Sequence, residues 1–299
     1  MGHWCFSLLC ISVAGQRELS YGPDFSSTDH NDGWAFPSFS QIHKKLYQKD
    51  PEEWHVVKNF TNPYSVVPVF KHFLHSNLGP HFFVDNIMQL LGRIPRFIVE
   101  VGSFQGHSAV VMGGVLDEIG EPDIPILCID PWTGDTNIWA NRDSDLEIQK
   151  WASPVVDGRS LLYDQFMANI QFKVSRHLGG NHVLPFHATS TVGARFLKAM
   201  KWHPDIIFLD SAHEIDETLL EIRLYFDILA PGGVLFGDDY GWPGVYNDVQ
   251  VFVRENGEGK APVRGNHPFE FRIFPASDAP GTVLFWALKK LRLVEDREL

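Results

Sequence analysis

Residues 97–109 read FIVEVGSFQGHSA, a strand-like run, a turn with two glycines and the start of a helix-like run. "FIVEV" is β-branched and aromatic, which suits a buried strand, and the following "HSAVVMGGVLDEI" suits a helix. A glycine-bearing turn between a parallel strand and a helix is where α/β proteins hold nucleotide-like ligands. Glycine lets the backbone approach the ligand, and the helix N-terminus offers free N–H groups. On these residues alone, the alternative is an ordinary strand–helix turn with a glycine at its bend.

The spacing argues against a dinucleotide. That fingerprint is G-x-G-x-x-G, with its middle glycine making room for a pyrophosphate. The matching positions here are Gly102, Phe104 and His107, so a bulky ring stands where phosphates would approach. Glu100 precedes the turn, and its carboxylate would repel phosphate. A ligand without phosphate and with positive charge fits better. S-adenosylmethionine, with an amino group and a sulfonium, is such a ligand. Glu100, Gly102, Ser103, Gly106 and Ser108 are its expected contacts in this stretch.

Outward from the turn, strands and helices alternate regularly. Strands are expected at 97–101, 126–130, 182–186, 205–209 and 233–237, with helical segments between, which implies a parallel sheet covered on both faces. "FEFRIFP" and "GTVLFWALKK", separated by "ASDAPG", form an antiparallel hairpin signal at the end. The expected fold class is thus α/β, a Rossmann-like, mostly parallel sheet ending in an antiparallel hairpin. Before it, "QIHKKLYQ", "SVVPVFKHFLHSNLG" and "HFFVDNIMQLLG" read as a helical extension broken at Pro51, Pro63 and Pro80. Residues 132–158 read as a long irregular insertion that shapes the substrate side. A helix is expected at about 159–178.

Acids recur at the carboxyl ends of the expected strands, where open α/β sheets bind ligands. Asp130 ends "PILCID" and is placed to take ribose hydroxyls. Ser190, in "FHATSTVGARF", lies near the adenine side, although Ser and Thr there also suit a helix cap. Asp210 ends "PDIIFLD", and Asp238-Asp239 follow "VLFG". Three carboxylates on one sheet edge suit a hard cation such as Mg²⁺. His213 lies near the same edge and could take a proton from a substrate hydroxyl. Ile215, Leu219, Ile222, Phe226 and Leu229 then mark one apolar helix face.

The chain has 299 residues, 44% of them hydrophobic and 21% charged, and a formal net charge of -12. With no compensating basic stripe, a nucleic-acid backbone is not an expected partner. Three cysteines, Cys5, Cys10 and Cys128, make neither a disulfide framework nor a zinc site. The apolar run in residues 1–15 is too short to span a membrane. It reads either as a secretory signal or as an apolar segment of a cytosolic protein. Asn59-Phe60-Thr61 is a glycosylation acceptor triplet compatible with the secretory route. The expected organisation is residues 1–15, an irregular and helical extension over 16–91, and a catalytic domain over 92–299.

"VEVGSFQGHSA", "IDPWTGD" and "LDSAHEIDETLLEIRLYFDILAPGGVLFGDDY" together resemble the macrocin O-methyltransferase and cephalosporin-hydroxylase-like branch of class I methyltransferases. The resemblance covers roughly residues 96–255. It implies S-adenosylmethionine as cofactor, Mg²⁺ held by Asp210, Asp238 and Asp239, and His213 as the catalytic base, with Asp210 also facing the cofactor. Asp238 stands where that branch often has Glu. The implied reaction is O-methylation of a small hydroxylated molecule. Phenol-like hydroxyls of pKa ~10 leave roughly 3.5 units, about 5 kcal/mol, to a histidine near ~6.5. Direct coordination to Mg²⁺ would narrow that gap. The alternatives are a metal-independent N-methyltransferase and a non-catalytic S-adenosylmethionine-binding protein. A homo-oligomer is an open expectation.

Overall fold

In the computed structural model, the described residues are 34–71, 77–211, 213–257, 268–275 and 284–292. Their centre is a seven-stranded sheet in the order β5-β2-β1-β6-β7-β9-β8. The parallel strands are β1 (Ile98–Val101), β2 (Ile126–Asp130), β5 (Val183–His187), β6 (Ile206–Leu209) and β7 (Val234–Gly237). Each falls within one residue of its expected position. All residues of β1, β2, β6 and β7 are buried, as strands covered on both faces require. The hairpin is also present. Strand β9 (Leu284–Lys290) runs antiparallel between β7 and β8 (Phe269–Pro275), and Phe285, Trp286, Ala287 and Leu288 are buried there.

Register sets the geometry of everything at the carboxyl edge. Val101 pairs with Ile129 on one side and Leu209 on the other, and Leu209 pairs with Gly237. The next residues of these four strands are Gly102, Asp130, Asp210 and Asp238, which therefore stand abreast along one edge. The opposite edge carries a structural ion cluster. Asp205 is fully buried and accepts from the Arg93 guanidinium, from Arg96 Nε at 3.0 Å and from Arg96 N at 2.8 Å.

Helices cover both faces: α4 (His107–Glu118), α7 (Leu162–Val174), α8 (Ser190–Met200), α9 (Glu217–Ile228) and α10 (Pro243–Asn256). The described part of the extension shares their core through Ile42, Val57, Phe82, Phe83 and Ile87. Its helix α1 (Phe39–Tyr47) starts with a capping box between Ser38 and Gln41. A second helix runs through α2 (Pro80–Phe82), a π segment (Phe83–Met88) and α3 (Gln89–Leu91).

Several sequence expectations need correction. Residues 65–71 of "SVVPVFKHFLHSNLG" form turns rather than a helix, with Val66 and Val69 exposed, and residues 72–76 lie outside the described set. Pro68 interrupts the helical pattern there. The insertion is ordered into α5 (Thr136–Asn141), α6 (Leu146–Trp151) and the first strand of a small hairpin, β3 (Val155–Val156) with β4 (Arg159–Ser160). The side chains of Asp135 and Asp145 cap its two helices. β4 also delays the next helix, which runs 162–174 instead of about 159–178. Ile215 is 64% exposed and precedes α9, so the apolar face begins at Leu219. The signal-like residues 1–15 lie outside the described residues.

Helix α9 is held at both ends by distant residues. Fully buried Asp248 of α10 accepts from Asp216 N at 3.1 Å and Leu219 N at 3.0 Å. At the other end, the buried Lys290 ammonium donates to the carbonyls of Phe226, Asp227 and Leu229 at 3.1, 3.3 and 2.9 Å. Cations suit helix C-termini, where carbonyls lack intrahelical partners. Lys290→Met keeps the packing and removes the donor, so it should cost about 1.5–3 kcal/mol. Urea unfolding should show a lower midpoint at unchanged slope.

Candidate active site

The turn after β1 is shaped by its glycines. Gly102 has φ +86°, and a Cβ there would sit 2.1 Å from the Asp210 carbonyl oxygen and 2.6 Å from Ser211 Cα. The β1 turn and the β6 end are thus packed backbone on backbone. Gly106, with φ +89°, is the N-cap of α4, and no side chain caps that helix. Three bulky or acidic residues along the same edge also adopt positive φ: Phe104 (44°), Trp132 (47°) and Asp239 (56°). Such conformations cost on the order of 1–3 kcal/mol each and gather at functional sites.

Asp130 is buried and organises this turn. It accepts from Phe104 N at 2.9 Å and from Trp132 N at 2.5 Å. The Trp132 indole N–H closes the loop by donating to the Phe104 carbonyl at 3.0 Å. Burial pushes the Asp130 carboxyl upward, while these N–H groups hold it down. With Ser103 N also donating, about one of its roughly four lone-pair sites is left for a ribose hydroxyl. Sequence reasoning assigned Trp132 to the insertion and missed its part in the turn, where it packs against Tyr163 and Phe166 of α7 and His187 at the end of β5. Its place two residues after the strand-ending acid was the available signal.

Glu100 and Ser108 are buried and hydrogen-bonded to each other. Glu100 is fully buried beneath the turn, accepting from the Ser108 hydroxyl and from Cys128 Sγ at 3.4 Å. Burial raises its pKa, against the stabilising Ser108 hydroxyl. Glu100, Ser108 and Cys128 therefore brace the turn from below. Ser190 also has partners within the protein. Thr189 caps α8 through Val192 N, and the Ser190 carbonyl accepts from Tyr225 Oη at 2.8 Å. The Ser190 hydroxyl serves Glu221 on α9, as does that of Ser211.

Beside the turn, Asp210, His213 and Asp239 offer donor atoms within 4.8 Å of one another. His213 Nε2 lies 2.9 Å from Asp239 Oδ2 and 4.0 Å from Asp210 Oδ1. Asp238, expected in this group, is engaged elsewhere. Its Oδ2 accepts from Asn77 Nδ2 at 3.0 Å, and its Oδ1 from Asp239 N at 2.7 Å. The reason is local: positive φ at Asp239 turns the two neighbouring carboxylates apart. Asn77, from the extension, reaches the sheet edge and was not legible from local pattern.

The electrostatics follow from crowding acids. Asp210 is held well above the usual carboxylate range, first by its low-dielectric surroundings and then by the charges of Asp238 and Asp239. Asp238 is pushed up to about 6, by burial and then by Asp239. Burial alone would lower His213, but the Asp239 hydrogen bond and the charges of Asp239, Asp210 and Asp135 push it up to about 9. Asp135 belongs to the insertion, so that segment bears on the site. A divalent cation would relieve this repulsion, and the donor set of two carboxylates and an imidazole fits one. Because His213 takes the place expected for Asp238, the set is not oxygen-only, and it accommodates Mn²⁺ as readily as Mg²⁺.

No helix among the described residues is long and apolar enough to cross a membrane. No curated protein matches the chain. Among solved structures, a protein provisionally assigned as an O-methyltransferase, from Klebsiella pneumoniae, is 16% identical, with a TM-score of 0.48 over 84% of this chain and 94% of that one. An O-methyltransferase of Bacillus cereus, solved with SAH, is 12% identical, with a TM-score of 0.44 over 84% and 96%. Assignment rests instead on the family model described as a methyltransferase domain, which matches residues 99–240, from β1 through the end of β7 and Asp239. Those residues carry both the glycine turn and the acidic group, so a methyltransferase domain spans the candidate site.

Proposed function

We propose that this methyltransferase acts on oxygen, transferring a methyl group to a hydroxyl of a small molecule with help from a divalent cation. One observation carries the proposal: the Gly102 turn packs directly on the Asp210 backbone, which brings the cofactor side and the Asp210–His213–Asp239 group together. The resemblance to the macrocin-type branch supports the same reading. The extension over 16–91 and the catalytic region over 92–299 would then work as one unit, since Asn77 reaches Asp238.

The Gly102 turn and Asp130 would hold S-adenosylmethionine, which would supply an electrophilic methyl group and leave as a neutral thioether. A cation held by Asp210 and Asp239 would supply stabilisation of negative charge on the acceptor oxygen. The chain's own residues do the rest. Asp130 holds the turn and has a lone pair for the ribose. In the neutral imidazole, the Asp239 contact fixes Nε2 as the donor of His213, which leaves Nδ1 as the basic nitrogen for the hydroxyl proton. Positioning two reactants in line accounts for much of the rate enhancement in such a transfer.

Chelation is the direct test. Methyl transfer to hydroxylated acceptors should fall in excess chelator and return with Mg²⁺ or Mn²⁺, while S-adenosylhomocysteine affinity, read by calorimetry, should survive. Full activity in chelator would remove the cation from the mechanism. It would leave His213 and positioning as the means of O-methylation, or favour an amine acceptor.

A further inference from the structure

Around the mouth of the site lies a group of exposed rings that the mechanism does not use. Trp242 begins α10 as its N-cap residue and is 46% exposed. Its ring centroid is 5.8 Å from that of His213, at an interplanar angle of 52°. The loop that carries it is fixed, since Trp242 N donates to the Asp239 carbonyl at 2.7 Å. One turn on, Tyr246 is 52% exposed. Between them, Gly244 lies against the backbone of residues 213–215, where a Cβ would meet the His213 carbonyl oxygen at 2.2 Å. The backbone of exposed Ile215 therefore lies against the first turn of α10, which carries both exposed rings next to the acidic group.

Single exposed apolar residues need no explanation, but a cluster of them rimming a polar site does. We propose that Trp242 is the stacking platform for a planar aromatic acceptor, so that the substrates are phenols or catechols rather than saturated alcohols. This rests on the O-methylation reading above. An acceptor oxygen within hydrogen-bond reach of His213, roughly 3 Å, carries its own ring to the mouth where Trp242 stands. Aromatic rings attract there at centroid separations of about 4.5–7 Å. Acceptor chemistry points the same way. A phenol ionises near ~10, whereas a saturated alcohol lies closer to water at ~15.7. A saturated ring could still lie on the indole, and the experiment separates the two.

The test uses binding, with 4-methylcatechol and cis-1,2-cyclohexanediol titrated by calorimetry into the full chain with Mg²⁺, with and without S-adenosylhomocysteine. The catechol should bind at least about tenfold more tightly than the diol, Trp242→Ala should weaken it about tenfold, and Trp242→Phe should retain most of the affinity. S-adenosylhomocysteine affinity should be equal in wild type and both variants. Equal binding of catechol and diol, an unaffected Trp242→Ala variant, or no catechol binding would each overturn the platform. Failure to bind S-adenosylhomocysteine would instead count against the methyltransferase chemistry, while the catechol titration without it still decides on Trp242. Thermal unfolding of each variant verifies that the exposed ring was removed from an intact fold.

Discussion

His213→Ala is expected to lower methyl transfer by roughly 10²–10⁴-fold, the range for loss of a general base. Cofactor affinity should change little, because the cofactor turn is held by Gly102, Asp130 and Trp132 rather than by His213. The imidazole contacts Asp239 at 2.9 Å and faces Asp210, so its removal also leaves two carboxylates without their shared neighbour. That gives a second readout. If His213 is chiefly a cation ligand, high Mn²⁺ should recover much of the lost turnover. If it is chiefly the base, Mn²⁺ should not, and the residual rate should climb with pH as hydroxide replaces the imidazole. Near-normal turnover across pH 6–9 would reduce His213 to a structural residue.

Gly102→Val should abolish S-adenosylmethionine binding and remove activity below detection. Its backbone sits in the left-handed region, which costs a non-glycine residue about 1–2 kcal/mol. The steric conflict is larger. A Cβ would stand 2.1 Å from one backbone atom of Asp210 and 2.5 Å from another, and backbone at the end of a buried strand cannot swing aside as a side chain would. The turn must lift from β6, taking the Phe104 N–H away from Asp130. Asp130→Ala should be milder, about 1.5–3 kcal/mol of cofactor affinity if its hydrogen bonds are charge-assisted. Retained affinity in both variants, measured by calorimetry, would place the cofactor elsewhere.

The strands were readable because a parallel sheet demands short, mainly apolar runs such as "FIVEV" and "IIFL", followed by a glycine or an acid at the carboxyl end. Once those ends are aligned, the edge with Gly102, Asp130, Asp210 and Asp238 follows. What did not follow was side-chain partnership. Asp238 looked equivalent to Asp239 until the φ of 56° at Asp239 and the reach of Asn77 separated them. Glu100 looked like a ligand contact because it precedes the turn, but strand alternation sends it beneath, to Ser108 and Cys128. The start of α9 was misplaced at Ile215 because its cap, Asp248, comes from another helix. Partners far apart in sequence leave no local pattern to read. The order within the insertion was missed for a different reason, since its short helices depend on caps from Asp135 and Asp145 rather than on a long apolar period.

The position of β9 has a consequence for how the protein is made. Synthesis proceeds from the N-terminus, yet β9 is laid between β7 and β8, both made before it. Until residues 284–290 have left the ribosome, β7 keeps an unpaired edge, and α9 lacks the ammonium that closes its last turn. Unpaired edges of apolar strands invite pairing with other chains. A nascent chain stalled before residue 284 would thus hold every residue of the candidate site while its sheet remained open and adhesive. Chaperone dependence during translation should accordingly persist until β9 emerges, long after the last site residue has been made.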